Sequence, residues 1–445
     1  MPDKMKINRI HIRNFKGFED RSFDFDPTFN VVVGKNATGK STVVNALEVA
    51  LGGYLQCLGI PATPQYRRQF RAEERLIKWN PKEKDYFYNK ENTSISATAT
   101  FDLGNIPNMF NPIEWTRELL KNNTTSHNRR LVGDLIDISE KIKEHKDSIP
   151  MPIVLGFGTK RTNSQIRKGK EKQEKRRRLD KAFLAALNDK VDYDGVIEWI
   201  HNYEKNLKYG KEFERTKEAV FSAIHTAIPY LKNIEYNNYY LQLEADIEID
   251  GYNYGTTLQS NMSDGLRVML KMVAEIAYRC AVLNGFLGER AVLETPGVVL
   301  IDEIDMHLHP NWQRRVISDL KAAFPKIQFI TTTHSPFIIQ SLQRNELLIL
   351  DDSRERVIDF ENPYGSGIED ISQVMGVEEV PRSKQFIEYS KTAEAYFNLI
   401  EQGVKIIDPG ELQALKEKLR EYEDRFSDNP VYVALMRAER SRVKL

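Results

Sequence analysis

The sequence is poor in cysteine, in long apolar runs and in net charge. Two cysteines, Cys57 and Cys280, in 445 residues are too few for a disulfide framework or a structural zinc site, which points to a reducing compartment. No apolar run approaches the roughly 18 residues needed to cross a bilayer. The opening Met1-Pro2-Asp3-Lys4 lacks the apolar segment of a secretory signal. A cytoplasmic protein without membrane contact is the expectation. Lys and Arg number 64, as do Asp and Glu, so any affinity for nucleic acid has to come from a local patch. There is no internal repeat or low-complexity tract, and 41% hydrophobic residues exclude disorder throughout.

What is present has the texture of an α/β chain long enough for two or three domains at about 150 residues each. Phe23 and Phe25 alternate with polar neighbours, and Val31-Val32-Val33 is an apolar run suited to a buried parallel strand that stops at Gly34. From Ser41, apolar residues at Val43, Val44, Leu47 and Ala50 predict a helix ended by Gly52-Gly53. Residues 93–101 alternate like a strand. Over 105–235 the chain turns polar and rich in Asn, Lys and Glu, which predicts a helical insertion with helices over 131–142, 179–187 and 213–228. That stretch contains Lys160 to Arg178, with ten basic residues opposed only by Glu171 and Glu174. Strand patterning returns at Leu241 to Ile249, followed by an amphipathic helix over Leu266 to Leu283. Val298 to Ile301 and Ile327 to Ile330 read as buried strands, with a helix of about Trp312 to Phe324 between them. The expected segments are 1–104 and 236–362 as two parts of one head, 105–235 as insertion and 363–445 as a helical tail.

Three motifs carry chemistry. Gly34-Lys35-Asn36-Ala37-Thr38-Gly39-Lys40-Ser41 matches GxxxxGK[ST] between a predicted strand and a predicted helix. Backbone N–H groups of such a loop, here through Thr42, curl around phosphates at the positive end of the helix, with Lys40 on the β and γ phosphates and Ser41 on Mg²⁺. Val298-Val299-Leu300-Ile301-Asp302-Glu303 delivers two carboxylates at a strand's carboxyl end, Asp302 suited to Mg²⁺ and Glu303 to the attacking water. Thr331-Thr332-Thr333-His334-Ser335 ends the next strand, placing His334 at the same edge. Between these motifs, Ser260-Asn261-Met262-Ser263-Asp264-Gly265-Leu266 opens the long helix, with Ser263 as an N-cap.

In this order the motifs resemble the ATP-binding cassette ATPases of the SMC and RecF type, and Ile12 to Phe18 is similar to the start of their heads. Gly156 to Thr159, Ile301 to Trp312, Gln328 to Pro336 and Tyr364 to Gly376 resemble the defence-associated ATPases of the Septu and related retron systems. The resemblance implies an α/β, P-loop ABC-type ATPase head, two-lobed, with a mixed sheet and flanking helices, a helical insertion and a helical C-terminal tail. It implies ATP and Mg²⁺ as ligands, Ser41 and Asp302 at the metal, Glu303 as catalytic base, His334 as switch histidine, and Ser263 and Gly265 on the γ-phosphate of a nucleotide held by another subunit. With one copy of each motif per chain, two composite sites need at least a head-to-tail dimer. It also implies antiphage defence through a partner nuclease of HNH type, because no nuclease cluster is visible in the chain itself.

Met262 stands where such families usually have Leu, and Asp264 where transporter cassettes have Gly. Gln65 and Gln69 are the candidates for a coupling glutamine. An insertion of about 130 residues is too short for a long SMC arm. Asp305, His307 and His309 could face one way as metal ligands, although no third His or Cys follows, and by resemblance they belong to a loop crossing to the partner. The basic run could contact nucleic acid, with solvated charge as the alternative. Tyr230, Tyr236, Tyr239, Tyr240, Tyr252 and Tyr254 flank a strand and read as sheet packing. Two other functions share the motifs: a RecF-type repair ATPase binding DNA directly, and a weakly hydrolysing scaffold holding a partner through its tail. A transporter subunit fits least.

Overall fold

The structure, a computed structural model, describes residues 5–61, 68–88, 91–101, 112–120, 125–126, 129–145, 148–162, 178–188 and 191–350, with isolated positions beyond. The chain divides into two units, Met1–Met375 and Gly376–Leu445. In the second, Gln413 and Glu417 are helical and share an i,i+4 hydrogen bond of 2.9 Å. Most of the expected C-terminal tail lies outside the described residues.

The first unit opens with β1 (Met5–Phe15) and β2 (Phe18–Asp24), an antiparallel pair with Ile10, Ile12 and Phe23 buried. The all-apolar logic of β3 (Phe29–Gly34) holds, since every residue of it is buried. It feeds α1 (Lys40–Cys57), which runs through Gly52 and Gly53 rather than ending there. The reason is close packing: a Cβ at Gly52 would fall on the Arg68 carbonyl oxygen, and one at Gly53 would sit 3.2 Å from Arg117 Cδ.

A hairpin of β4 (Ile77–Asn80) and β5 (Asp85–Tyr88) follows, then β6 (Thr93–Phe101), β7 (Ile113–Leu119), β8 (Thr125–Ser126) and α2 (Arg129–Glu144). Strands β2-β1-β6-β7-β8, in that order, form an antiparallel sheet. Next comes β9 (Ile153–Phe157), buried at all five positions. The expected helical insertion over 105–235 is therefore corrected: β7 and β9 belong to the two main sheets. Their apolar content, alternating in Ile113-Glu114-Trp115 and continuous in Ile153-Val154-Leu155, is strand patterning inside a polar stretch.

Beyond it lie α3 (Arg178–Ala182), α4 (Tyr193–Lys208), α5 (Thr216–Ala227) and a three-stranded antiparallel sheet of β10 (Leu231–Asn237), β11 (Gln242–Ile249) and β12 (Tyr252–Leu258). α3 stops short of the expected 187, and Ala185 then takes a left-handed φ of 54°. The chain continues through α6 (Asp264–Asn284), α7 (Ala291–Glu294), β13 (Gly297–Ile301), α8 (Pro310–Gln313), α9 (Val316–Ala323), β14 (Ile327–Thr332), α10 (Pro336–Ile339) and β15 (Leu347–Leu350). The single helix expected over 312–324 is two, parted at Arg314 and Arg315.

The second main sheet is fully parallel, in the order β15-β3-β14-β13-β9. Gln328, fully buried on β14, joins it to the antiparallel sheet by accepting from Ile7 N at 2.8 Å and donating to Ile7 O at 2.9 Å and Asp26 O at 2.7 Å. The result is one antiparallel and one fully parallel sheet with flanking helices, with the carboxyl ends of β3, β13 and β14 at one edge. No helix among the described residues is long and apolar enough to cross a membrane.

Candidate functional site

The site is built where three neighbouring parallel strands end, the place at which open α/β sheets bind ligands. After β3, Ala37 takes a left-handed φ of 67° and Gly39 a φ of 101° at the N-cap of α1. Only glycine fits at 39, because a Cβ there would also lie 2.6 Å from the Phe18 ring. Thr38 Oγ1 donates to Lys35 O at 2.9 Å, and Thr42 N donates to Gly39 O at 2.9 Å. Lys40 is 8% exposed, and its Nζ donates to the carbonyls of Gly34 (2.8 Å) and Lys35 (2.9 Å). Burial holds the Lys40 pKa below the usual lysine value, opposed by the carboxylates of Asp302 and Glu303. The ammonium thus sits among neutral carbonyls of its own loop, in a cradle suited to phosphate.

After β13, the Asp302 carboxylate gathers hydroxyls. Oδ1 accepts from Thr332 Oγ1 at 2.6 Å and from Ser41 Oγ at 3.2 Å. Carboxylate and hydroxyl oxygens are the hard donors that Mg²⁺ prefers. Glu303 adopts a left-handed φ of 54°, and its N–H donates to Thr332 Oγ1 at 2.8 Å. Asp305 Oδ1 then accepts from Thr333 Oγ1 at 2.6 Å and from His334 N at 3.4 Å, which ties the turn after β13 to the end of β14. Lys40, Ser41, Asp302 and Glu303 are brought together, and His334 is linked to them through Asp305.

Ser263 caps α6 by accepting from Leu266 N at 3.5 Å. Gly265 lies directly against the His307 carbonyl oxygen, leaving no room for a Cβ. Neither makes a hydrogen bond to the phosphate loop among the described residues. His309 Nδ1 accepts from Asn311 N at 3.3 Å and caps α8. Among the described residues no group of three His, Cys, Asp or Glu comes together to hold a metal. Gln65 lies outside the described residues, and the Gln69 carbonyl accepts from Arg68.

The geometry agrees with the family comparison: residues 5–339 match the model of the AAA ATPase domain. The chain belongs to that family. Its similarity to curated proteins runs along the same lines. The "Retron Ec83 probable ATPase" of Escherichia coli is 23% identical over 463 residues, covering 89% of this chain and 80% of that protein. The "Septu protein PtuA" of Bacillus mycoides is 24% identical, covering 79% of this chain and 41% of PtuA. The solved "SmcHead bound to the C-winged helix domain of ScpA" overlaps 76% of this chain and 92% of its own at 16% identity and a TM-score of 0.43.

Three residues of this AAA ATPase domain take roles that the sequence does not assign them. Thr332 was hidden in a run of threonines, and Asp305 in a run better known for its histidines. Arg161 was counted in the basic run, yet the structure removes it from any nucleic-acid surface: it is 3% exposed and donates to the carbonyls of Asp302 and Glu303. Arg178, at the other end of the run, lies 5.8 Å over the Phe213 ring. Residues 163–177 fall outside the described residues.

Proposed function

We propose that the chain binds and hydrolyses ATP and works in antiphage defence, with its nucleotide state controlling a partner nuclease. The observation that carries the reading is the convergence of Lys40, Ser41, Asp302 and Glu303 at one sheet edge, joined by the Ser41–Asp302 hydrogen bond. Lys40 and the backbone of Gly34 to Thr42 would hold the phosphates, and Ser41 and Asp302 would hold Mg²⁺. Mg²⁺ supplies neutralisation of the charge on the β and γ phosphate oxygens. Glu303 takes the proton of the attacking water, and His334, set by Asp305, faces the γ-phosphate. The defence role is supported by similarity to retron and Septu proteins.

Ser263 and Gly265 supply the second half of a composite site, so ATP closes two heads head to tail and hydrolysis reopens them, a population shift between two states. The nuclease partner, of HNH type by resemblance, follows the opening or closure of those heads. The test is co-expression with the product of the neighbouring open reading frame, followed by pulldown and mass photometry with and without ATP. A stable complex containing a nuclease, lost or rearranged with ATP state, supports the reading. A lone oligomer that binds DNA only with ATP would replace it with the repair reading.

A further inference from the structure

The ladder between β9 and β13 ends at a single residue's reach from the candidate catalytic turn. Ile301 pairs with Phe157, and Asp302 N donates to Phe157 O at 2.8 Å, the last bond before the two strands part. Beyond that point the backbone turns sharply, with Glu303 in the left-handed region at φ 54°. The carbonyls of Asp302 and Glu303 therefore leave the sheet pattern: Met306 N turns back to donate to Glu303 O at 3.0 Å, while the Asp302 carbonyl depends on a side-chain donor.

Arg161 reaches both carbonyls. Its Nη1 donates to Asp302 O at 2.5 Å and to Gly158 O at 3.1 Å, and its Nη2 donates to Glu303 O at 2.5 Å. The side chain is 3% exposed, and its Nε is buried with no hydrogen-bond partner among the described residues. The carboxylates of Asp302, Glu303 and Asp305 favour its charge, against burial, which lowers its pKa to about 10. A buried guanidinium retained with one N–H unsatisfied is costly for packing alone. Its planar fork, by contrast, presents two N–H groups to the two successive carbonyls in a fixed geometry, where a lysine would offer one flexible point charge.

We infer that Arg161 is a positioning residue for ATP hydrolysis, clamping the Asp302–Glu303 backbone in its left-handed turn so that the Glu303 carboxylate is aimed at the attacking water. This rests on the proposed ATPase reading. It also makes the segment leading into the basic run a structural part of the nucleotide site: whatever moves the chain after Gly158 moves the turn that carries Glu303.

The experiment uses the full chain as wild type, Arg161→Lys and Arg161→Ala, with three readouts: ATP turnover, affinity for a fluorescent ATP analogue, and amide hydrogen exchange over 302–305. Both variants are expected to lose about 100-fold in kcat, the scale on which a misplacement of the order of 1 Å acts. Analogue affinity should stay within about threefold, and exchange at Glu303 and Ile304 should rise at least about tenfold as the turn loosens. Arg161→Lys keeps the charge and most of the bulk, so it carries the test where Arg161→Ala fails to fold. Turnover and exchange of Arg161→Lys both within twofold of wild type would overturn the inference. So would a parallel loss of affinity and turnover with exchange rising across all of β9 and β13, the pattern of a merely structural residue. A wild type without turnover would remove the ATPase reading instead, while the exchange comparison still decides whether Arg161 holds the turn.

Discussion

Ser41 Oγ donates to Asp302 Oδ1 at 3.2 Å, a hydrogen bond between residues 261 positions apart. It joins the start of α1 to the end of β13 and so closes the site across the sheet. Because β14 lies between β3 and β13, its Thr332 also reaches Asp302, and the carboxylate is held at once from the start of α1 and the end of β14.

Lys40 is the buried cation of the phosphate loop, and among the described residues its Nζ donates to the loop carbonyls of Gly34 and Lys35. Lys40→Ala should weaken ATP by about 10- to 100-fold, the scale of a hydrogen bond to a charged group. Titration of a fluorescent ATP analogue checks it, with unchanged thermal stability expected within a few degrees. Affinity equal to wild type would place the phosphates elsewhere.

Gly265 packs against the His307 carbonyl, which cannot retreat as a flexible side chain would. Gly265→Ala gains helix propensity but forces the start of α6 away from the turn after β13, for a net loss of about 1–2 kcal/mol. Chemical denaturation should show that loss, with turnover falling more than stability.

Gln328 satisfies three backbone groups between the two main sheets. Gln328→Leu leaves Ile7 N, Ile7 O and Asp26 O without this partner, and should destabilise by about 3 kcal/mol or more. A shift in the urea midpoint at unchanged slope is the expected signature, since the cost falls on the folded state.

Within α6, Arg279 is fully buried, donates to Glu275 Oε1 at 2.8 Å through Nε, and also holds the carbonyls of Ala182 and Leu184 at 2.6 Å. Burial is the main force on Glu275, pushing its carboxyl up to about 7 from 4.5, with Arg279 opposing. A carboxyl whose folded pKa is raised contributes stability below its unfolded value and loses it as pH rises through the folded value. Arg279→Met removes the opposing cation, so stability should fall by about 3–5 kcal/mol at neutral pH. Unfolding at pH 5 and pH 8 should show a steeper decline with rising pH than in wild type.

Much of the site was legible in the sequence because its residues sit where patterns break. Gly34 to Ser41 interrupts a strand and starts a helix, and Asp302-Glu303 ends an apolar run, so spacing alone placed them at one sheet edge. The roles of Arg161, Thr332 and Asp305 were not legible, because they depend on which backbone groups a turn leaves unpaired, and that follows from sheet order. The same limit explains the insertion. The run Ile153 to Phe157, apolar but for Gly156, forms an edge strand only because β13, 144 positions later, offers a partner; 153 and 297 stand opposite in the register. Gly52 and Gly53 misled for a related reason: inside α1 they mark close neighbours, which local periodicity does not report.

In the proposed function Glu303 is the base of an ATP site built on Lys40, Ser41 and Asp302. The most direct measurement is steady-state release of phosphate by wild type and Glu303→Gln, with Mg²⁺ and with EDTA, alongside binding of the fluorescent ATP analogue. Mg²⁺-dependent turnover is expected in wild type, with a loss of about 100-fold or more in Glu303→Gln and analogue affinity retained. Turnover in Glu303→Gln equal to wild type would contradict it.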